Sequence, residues 1–286
     1  EQWAVMLCRA YGVETIGDSW QDVGRSSVVE AYRQGWLNET ALSALRSPMC
    51  RSVLVESAFA AADVPVYDYT LYEGGTSLST ADNILRAGRE LGLCSDDADT
   101  NALVTRGEAA IILHAVLTQS FHVEEPPAPV TLVNAAGVNV NDFLLELRKV
   151  PEQVLDAFNA AGWTYCIDFD YMGGLSKKLN MSCIGATNYS RKTIYISEAD
   201  ATLHEFGHFL DYALGFPAEH ERLYLAESQN SSLRDYAKTN SREFFADCFV
   251  HWITYSADKK RMDDFRDAAP QTYAYMKKLA TNNWGA

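Results

Sequence analysis

A cluster of prolines near the middle of the chain restricts the possible folds more than any other feature. Three of the four residues 126–129 are proline, and two glutamates precede them. Proline fixes its φ and lacks a backbone N–H, so this stretch favours extended polyproline geometry and excludes a helix. We therefore predict two domains, residues 1–121 and 132–286, which are joined by a Pro-rich linker at residues 122–131.

The charge and hydropathy of the chain exclude some classes of protein. It has 24 basic and 38 acidic residues, a net charge of −14. Nucleic-acid binding relies on clustered Lys and Arg, so we expect no nucleic-acid partner. No apolar run reaches the roughly 18 residues of a membrane-spanning helix, and no signal peptide is recognisable at the start of this numbering. We expect a soluble protein.

The cysteines form no recognisable metal or redox motif. None of the six lies in a CxxC pair, which excludes a zinc ribbon and a thioredoxin-type site. Three disulfides are possible, and none can be assigned. Because the cysteine content is far below that of a disulfide scaffold, we expect most of them to be free, buried thiols. They are Cys8, Cys50, Cys94, Cys166, Cys183 and Cys248.

The N-terminal part shows a repeated helical pattern. Short apolar helical stretches recur about every 50 residues, at 3–7, 53–58 and 109–113. Between them, the amphipathic segments 28–35 and 84–93 each contain a glycine near the end, which is typical of a helix C-terminus. The pattern predicts an all-α domain.

These segments and Thr105-Arg106-Gly107-Glu108 resemble the S-layer homology repeat of Gram-positive bacterial surface proteins. In that repeat a helix ends in Gly-Leu, and Thr-Arg-Ala-Glu opens a second helix after a loop. The match is best at residues 105–108, whereas the second unit has Arg51-Ser52-Val53 and the first begins only near Glu1. The resemblance implies a secreted or cell-surface protein that binds cell-wall polymer. A helical scaffold or prodomain-like module is the alternative.

The C-terminal part combines helical and strand patterns, which predicts an α+β domain. The residues 172–174 and 184–188 are predicted to be loops that flank a cleft. The alternating stretch 192–197 is predicted to be a strand, either an edge that pairs with an extended peptide or an inner strand. In chain order, the predicted elements are a helix over 140–161, strands over 165–169 and 192–197, and three helices, through His204, through Glu243 and near 271–279.

The segment His204-Glu205-Phe206-Gly207-His208 carries the strongest chemical signal. Histidines four residues apart on a helix project from one face and can hold one zinc ion. Glu205 lies beside this pair, where a general base can take a proton from a zinc-activated water. Gly207 is predicted to allow close approach of a neighbouring strand.

A catalytic zinc requires a third protein ligand. A metzincin continuation is excluded, because residues 211 and 214 are Asp and Leu. Glu243 and Asp247 lie one helical turn apart, so one can bind the metal while the other accepts the second N–H of a ligating histidine. We favour Glu243 as the ligand. The alternatives are Asp211, Glu219, His220, Glu221 and Glu227, whereas His114, His122 and His251 are predicted to pack or face solvent.

The segments 202–211, 243–249 and 269–273 together resemble the catalytic domain shared by anthrax lethal factor and the clostridial Pro-Pro endopeptidases. The likeness extends over roughly residues 132–283. It implies a zincin-like α+β domain of the gluzincin type. It also implies Zn²⁺ ligation by His204, His208 and Glu243, with Asp247 in place of the family's usual second glutamate.

The same resemblance assigns a role to one tyrosine. The family has a tyrosine seven residues before the ligating glutamate, here Tyr236, whose hydroxyl stabilises the developing oxyanion. Both named members act on proline-containing segments, which implies substrates with proline near the cleaved bond. We expect a secreted zinc endopeptidase with Glu205 as general base. The alternatives are a cell-surface binding protein with a catalytically silent peptidase domain, and a zinc hydrolase of small molecules or wall peptides.

Overall fold

The computed structural model describes residues 1–43, 46–72, 78–95 and 98–285. The chain divides into two compact units, Glu1–Pro127 and Ala128–Ala286. The division falls within the Pro-rich segment 122–131. Within the described ranges, no helix is both long enough and apolar enough to cross a membrane.

The N-terminal unit is helical. Two of its helices end at the glycines that the sequence indicated, because Gly35 and Gly92 adopt φ values of 75° and 74°, which side chains disfavour. Its helices are α1 (Gln2–Ala10), α2 (Trp20–Arg33), α3 (Glu39–Ser43), α4 (Arg51–Ala61), α5 (Thr80–Glu90) and α6 (Arg106–Thr118).

The helices of the N-terminal unit bury their apolar faces against one another. Leu7, Leu54 and Leu85, from α1, α4 and α5, are almost completely buried in a common core. At the start of α6, Thr105 and Glu108 form a reciprocal capping box. These features agree with the predicted all-α domain, whereas its relation to S-layer repeats stays a prediction.

The C-terminal unit is an α+β domain that is rich in helix and contains one small mixed sheet. The strand order is β1-β2-β4-β3, in which β3 is antiparallel and lies at an edge. Its elements are β1 (Leu132–Asn134), α7 (Asn141–Leu147), α8 (Glu152–Ala160), β2 (Thr164–Ile167), α9 (Phe169–Leu179), β3 (Gly185–Asn188), β4 (Thr193–Ile196), α10 (Thr202–Ala213), α11 (Ala218–Glu227), α12 (Ser241–Tyr255), α13 (Lys259–Ala268) and α14 (Pro270–Thr281).

The prediction of one helix over residues 140–161 is wrong. The chain forms α7 and α8, which are separated by a turn that ends at Pro151. Proline has no N–H to continue a helix, and it disfavours the helical conformation of the residue before it. Pro151 has φ −55° and ψ 136°, outside the helical region, and α8 starts directly after it.

The two predicted loops are also wrong. Residues 172–174 lie inside α9, which begins where the side chain of Asp168 accepts a hydrogen bond from the N–H of Tyr171, and ends at Asn180 with φ 53°. Because this cap starts a helix, β2 ends at Ile167, whereas the strand was predicted to extend to Phe169. Residues 185–188 form β3.

The strand predicted over 192–197 is an inner strand. It corresponds to β4, which lies between β2 and β3, so the prediction of an edge is wrong. Its alternation arises because Ile194 and Ile196 are completely buried on one face, whereas Thr193 and Tyr195 are partly exposed on the other. The edge strands are β1 and β3.

The core of the C-terminal unit holds α10 against the sheet side of the domain. Phe206 and Phe209 of α10 pack on Phe158 of α8, with ring centroids 4.9 and 5.0 Å apart. The hydroxyls of Tyr165 in β2 and Thr202 at the start of α10 lie 2.6 Å apart. With its apolar side fixed in this way, α10 presents the opposite side to α12.

All six cysteines are free. Cys8, Cys166 and Cys248 are buried, and the other three are partly exposed, so the prediction of free thiols is confirmed and that of general burial holds for half of them.

Candidate metal centre

Two histidines of α10 meet at one point. Nε2 of His204 lies 3.1 Å from Nε2 of His208, and both side chains are largely buried. Their spacing of four residues on a regular helix places them one turn apart on the side of α10 that faces α12.

The first turn of α12 brings Glu243 to the same point. Its Oε2 lies 3.0 Å from Nε2 of His204 and 3.3 Å from Nε2 of His208. Asn240 fixes the start of this helix, because its side chain accepts hydrogen bonds from the N–H groups of Arg242 and Glu243.

Gly207 explains how α10 and α12 come so close. A Cβ atom on Gly207 would lie 2.7 Å from Cα of Ala246 in α12. Real Cβ atoms essentially never approach another atom so closely. The neighbour of this glycine is therefore a helix, and the predicted strand contact is wrong. The absence of a side chain at this position allows the ligand atoms of the two helices to meet.

The three ligand atoms fit a zinc ion. His204, His208 and Glu243 offer two imidazole nitrogens and one carboxylate oxygen, all within 4.8 Å of one another. Bonds of about 2.0–2.1 Å in a tetrahedral arrangement require ligand atoms about 3.3 Å apart. The observed separations of 3.0, 3.1 and 3.3 Å are close to that spacing. A set of three such ligands leaves a fourth position open, as in catalytic zinc sites.

The pKa values of His204 and Glu243 also agree with a cation-binding site. Burial lowers the pKa of His204, but hydrogen bonds with Asp247 and Glu243 outweigh this effect and raise the pKa to about 9. Burial raises the pKa of Glu243, but hydrogen bonds from His204 and His208 outweigh it and lower the pKa to about 2. The surroundings thus favour positive charge between these side chains, which a proton or a metal cation can supply.

Asp247 contacts the other ring nitrogen of His204. Its Oδ1 lies 2.8 Å from Nδ1 of His204, so the shorter aspartate side chain still reaches the histidine. An Nδ1–H that donates to Asp247 leaves the Nε2 lone pair directed at the metal position. By contrast, Nδ1 of His208 is buried and has no hydrogen-bond partner among the described residues.

Arg234 is a residue of this centre that the sequence analysis missed. It donates hydrogen bonds from Nε to Oδ2 of Asp247 at 2.6 Å and from Nη2 to Oδ1 at 2.7 Å. Arg234 lies in an irregular segment, and no periodic pattern or motif in the sequence marks it.

Glu205 lies beside the metal position and is held by β3. Its side chain accepts a hydrogen bond from the hydroxyl of Thr187 at 2.7 Å, and the residue is only 5% exposed. A Cβ on Gly185 would lie 2.7 Å from Oε1 of Glu205, so glycine is needed there for the present position of the carboxylate. The strand that was predicted to be a loop therefore shapes the surroundings of this group.

Tyr236 faces the same region from a 3-10 turn at Asp235–Lys238. Its ring centroid lies 6.0 Å from that of His204, and the residue is 43% exposed. Burial, followed by the negative charges of Glu243 and Glu205, raises the pKa of the phenol to about 12. Tyr236 is therefore protonated at neutral pH and can donate a hydrogen bond.

An open cleft reaches several of these side chains. It has a volume of about 910 Å³, and its lining includes His204, Glu205 and Tyr236. One wall is formed by the segment 181–185, and the cleft continues along α12 to Tyr255 and the first residues of α13. Its size is in the range of small-molecule binding sites.

The residues considered as alternative third ligands lie outside the candidate metal group and, apart from the exposed Glu221, contact other side chains or backbone groups. Asp211 and His220 form a buried pair, with Oδ1 and Nδ1 2.7 Å apart, and Glu219 pairs with Arg222 on the surface. Glu227 accepts hydrogen bonds from the N–H groups of Gln271 and Thr272 at the start of α14. Glu221 is exposed.

The remaining histidines differ in their surroundings. His114 and His122 are exposed. His251 lines the cleft and packs against Phe265, with ring centroids 4.8 Å apart. None of the three belongs to the candidate metal group found among the described residues.

Comparison with known proteins shows that part of the C-terminal unit is similar to one family. Residues 167–279 match the family model for anthrax toxin lethal factor, N- and C-terminal domain. The solved structure of the Pro-Pro endopeptidase PPEP-2 from Paenibacillus alvei matches with 18% sequence identity and a TM-score of 0.42. That match covers 52% of this chain and 96% of the endopeptidase. No curated protein sequence matches the chain. The family match over residues 167–279 confirms the predicted resemblance of the C-terminal unit to anthrax lethal factor.

Proposed function

We propose that the C-terminal unit is a zinc-dependent endopeptidase. The observation that carries the proposal is the meeting of His204, His208 and Glu243 at tetrahedral spacing, within the segment that matches the lethal factor family. The ligand set of two histidines and a glutamate is that of zinc peptidases with an open fourth position. When bound, zinc would increase the acidity of water and polarise the carbonyl of a peptide bond.

The chain's own residues would then move protons and stabilise charge. Glu205 accepts the proton of the attacking water and returns it to the leaving amine. Its buried carboxylate is already oriented by Thr187. Tyr236 donates a hydrogen bond to the oxygen that becomes negative, because its pKa of about 12 keeps the phenol protonated.

The resemblance also supports proposals on location and partners. A peptidase of this type acts on a peptide or protein substrate, which the 910 Å³ cleft can admit. The S-layer-like pattern of the N-terminal unit supports a secreted or cell-surface protein that binds cell-wall polymer.

The decisive experiment compares the parent protein with Glu205→Gln. We expect both proteins to contain one zinc per chain after metal loading, since Glu205 is not a ligand. We expect the variant to cleave peptides at least about a thousandfold more slowly, because an amide cannot accept the proton.

Zinc content and cleavage are measured on the same samples, by elemental analysis and by mass spectrometry of a peptide library. Cleavage by the variant at the parent rate would contradict the role of Glu205. Loss of zinc from the parent protein under loading conditions would contradict the metal assignment. A zinc-loaded parent that cleaves no peptide would favour a catalytically silent domain.

A further inference from the structure

Arg234 contacts three side chains of the candidate metal centre, although the proposed mechanism gives it no role. Its guanidinium forms two parallel hydrogen bonds with Asp247, at 2.6 and 2.7 Å. Its Nη2 lies 3.1 Å from Nδ1 of His204. Its Cζ lies 5.3 Å from the ring centroid of Tyr236. One side chain therefore joins a metal ligand, the carboxylate that orients this ligand, and the proposed oxyanion donor.

The first consequence concerns His204. A guanidinium carries only donors, so the hydrogen on Nδ1 of His204 can be accepted only by Asp247. By holding both oxygens of Asp247, Arg234 fixes the carboxylate in the plane where Oδ1 lies 2.8 Å from that nitrogen. The orientation of the imidazole, and with it the direction of the Nε2 lone pair, follows from this arrangement.

The second consequence concerns Tyr236. Arg234 is the residue directly before the 3-10 turn that carries this tyrosine. The turn packs against α12. The bidentate pair attaches the start of the turn to Asp247 of α12, and the guanidinium lies against the tyrosine ring. The same pair that orients His204 therefore also fixes the position from which Tyr236 faces the metal.

An ordinary surface salt bridge would contribute little, but this pair differs from one in two respects. Asp247 has only 8% of its side chain exposed, although Arg234 itself is 58% exposed. The geometry is bidentate, which limits rotation of the carboxylate. Truncation of Arg234 would therefore leave a buried carboxylate with fewer donors and more freedom.

We propose that Arg234 is a positioning residue that couples Tyr236 to His204 through Asp247. This inference rests on the proposed function, since it assigns Arg234 a role in the same site. Arg234 touches neither the metal nor the substrate in this role.

The test compares Arg234→Ala and Arg234→Lys with a matched control, Arg222→Ala. Arg222 also forms a two-point pair with a carboxylate, that of Glu219, but on an exposed surface of α11. Arg234→Lys keeps the positive charge but loses the planar guanidinium that binds both oxygens of Asp247. This variant also keeps the test possible if Arg234→Ala does not fold.

We expect Arg234→Ala to weaken zinc binding about 10- to 100-fold, measured by competition with a chelator. With zinc saturating, we expect kcat to fall about tenfold or more while KM changes less than about threefold, as for a group that acts in the transition state. Arg234→Lys should show the same losses to a smaller degree. Arg222→Ala should change neither zinc affinity nor kcat. Unchanged zinc affinity or unchanged kcat in both Arg234 variants would overturn the proposal.

A double-mutant cycle tests the coupling to Tyr236. If Arg234 acts on kcat through this tyrosine, Arg234→Ala should lower kcat much less in a Tyr236→Phe background than in the parent. Multiplicative losses would show that the two residues act independently, and they would overturn the coupling.

The zinc measurement separates this inference from the proposed function. If the parent protein binds zinc but cleaves no peptide, the endopeptidase proposal fails, while the chelator competition still tests whether Arg234 orients His204. The visible spectrum of the cobalt-loaded protein gives a second test without turnover, since a change in the orientation of His204 alters the ligand field. Identical cobalt spectra for the parent and Arg234→Ala would count against the inference.

Discussion

Among the described residues, Thr187 makes the one side-chain hydrogen bond to the carboxylate of Glu205, and this contact can be removed with almost no change in shape. We expect Thr187→Val to lower kcat about tenfold, because a hydrogen bond to a charged group contributes about 1.5–3 kcal/mol. Zinc content should not change, since Thr187 contacts no ligand. Steady-state kinetics on a cleaved peptide, with elemental analysis of the same sample, provide the measurement.

Thr187→Ser is the matched control, because it keeps the hydroxyl and removes only a methyl group. It should retain kcat within about threefold of the parent. If Thr187→Val were as active as the serine variant, the hydroxyl would have no part in holding the base.

The residues of the centre differ in how far the sequence could predict them. The pairing of His204 with His208 follows from helical spacing. The same spacing indicated Glu243 or Asp247 as a third ligand, and the family resemblance favoured Glu243. Arg234 and Thr187 could not be found in this way. Their contacts depend on an irregular segment and on a strand edge, and the relative placement of such segments is decided by tertiary packing.

At the scale of elements, the crossing of α10 and α12 depends on Gly207. Alanine is the better helix former by about 1 kcal/mol, so helix propensity alone predicts that Gly207→Ala is stabilising. The added Cβ would, however, lie 2.7 Å from backbone Cα of Ala246, and the two helices would have to separate. We expect a net destabilisation of about 1–3 kcal/mol, together with weaker zinc binding. Denaturant unfolding of the metal-free protein and chelator competition measure the two effects.

Gly173 provides the comparison, because it also lies in a helix, α9, and an added Cβ would meet nothing within 4 Å. Gly173→Ala should therefore raise the free energy of unfolding by up to about 1 kcal/mol. If the two substitutions changed the free energy of unfolding equally, the close contact between α10 and α12 would not require glycine at position 207.

The elements that the sequence analysis predicted wrongly share a physical cause. Apolar periodicity continues through residues 140–161, but a single missing N–H at Pro151 ends one helix and begins another. The two glycines at 173 and 174 favour a loop by composition, yet the cap of Asp168 on Tyr171 starts a helix that includes them. In both regions, local hydrogen bonding at one residue overrides the pattern averaged over many.

At the scale of the whole molecule, the two compact units can be produced and tested separately. We expect residues 128–286 alone to cleave peptides at a rate close to that of the full chain, because every residue of the candidate centre lies in this unit. The isolated residues 1–127 should sediment with purified Gram-positive cell walls, and residues 128–286 should not. A C-terminal unit that folds but does not cleave would show that the N-terminal unit contributes to the site.

The substrate preference is also a property of the whole cleft. We expect a randomised peptide library to show enrichment of proline within about three residues of the cut, since a chain with fixed φ loses less entropy when it binds. The edge strand β3 has β4 on one side and, among the described residues, no strand on the other. It could therefore pair with the remaining N–H and C=O groups of an extended peptide. Cleavage without any enrichment of proline would remove this preference and leave the peptidase proposal intact.

The two helices that supply the proposed ligands are distant in sequence, since His204 and Glu243 are 39 residues apart. An ion held by both would act as a cross-link across the folded unit. A ligand at a thousand times its dissociation constant stabilises the native state by about 4 kcal/mol. Molecules that lack zinc would consequently unfold more often and be digested first by other proteases. The lifetime of the protein would then follow the local supply of zinc, so that only molecules with bound zinc would persist.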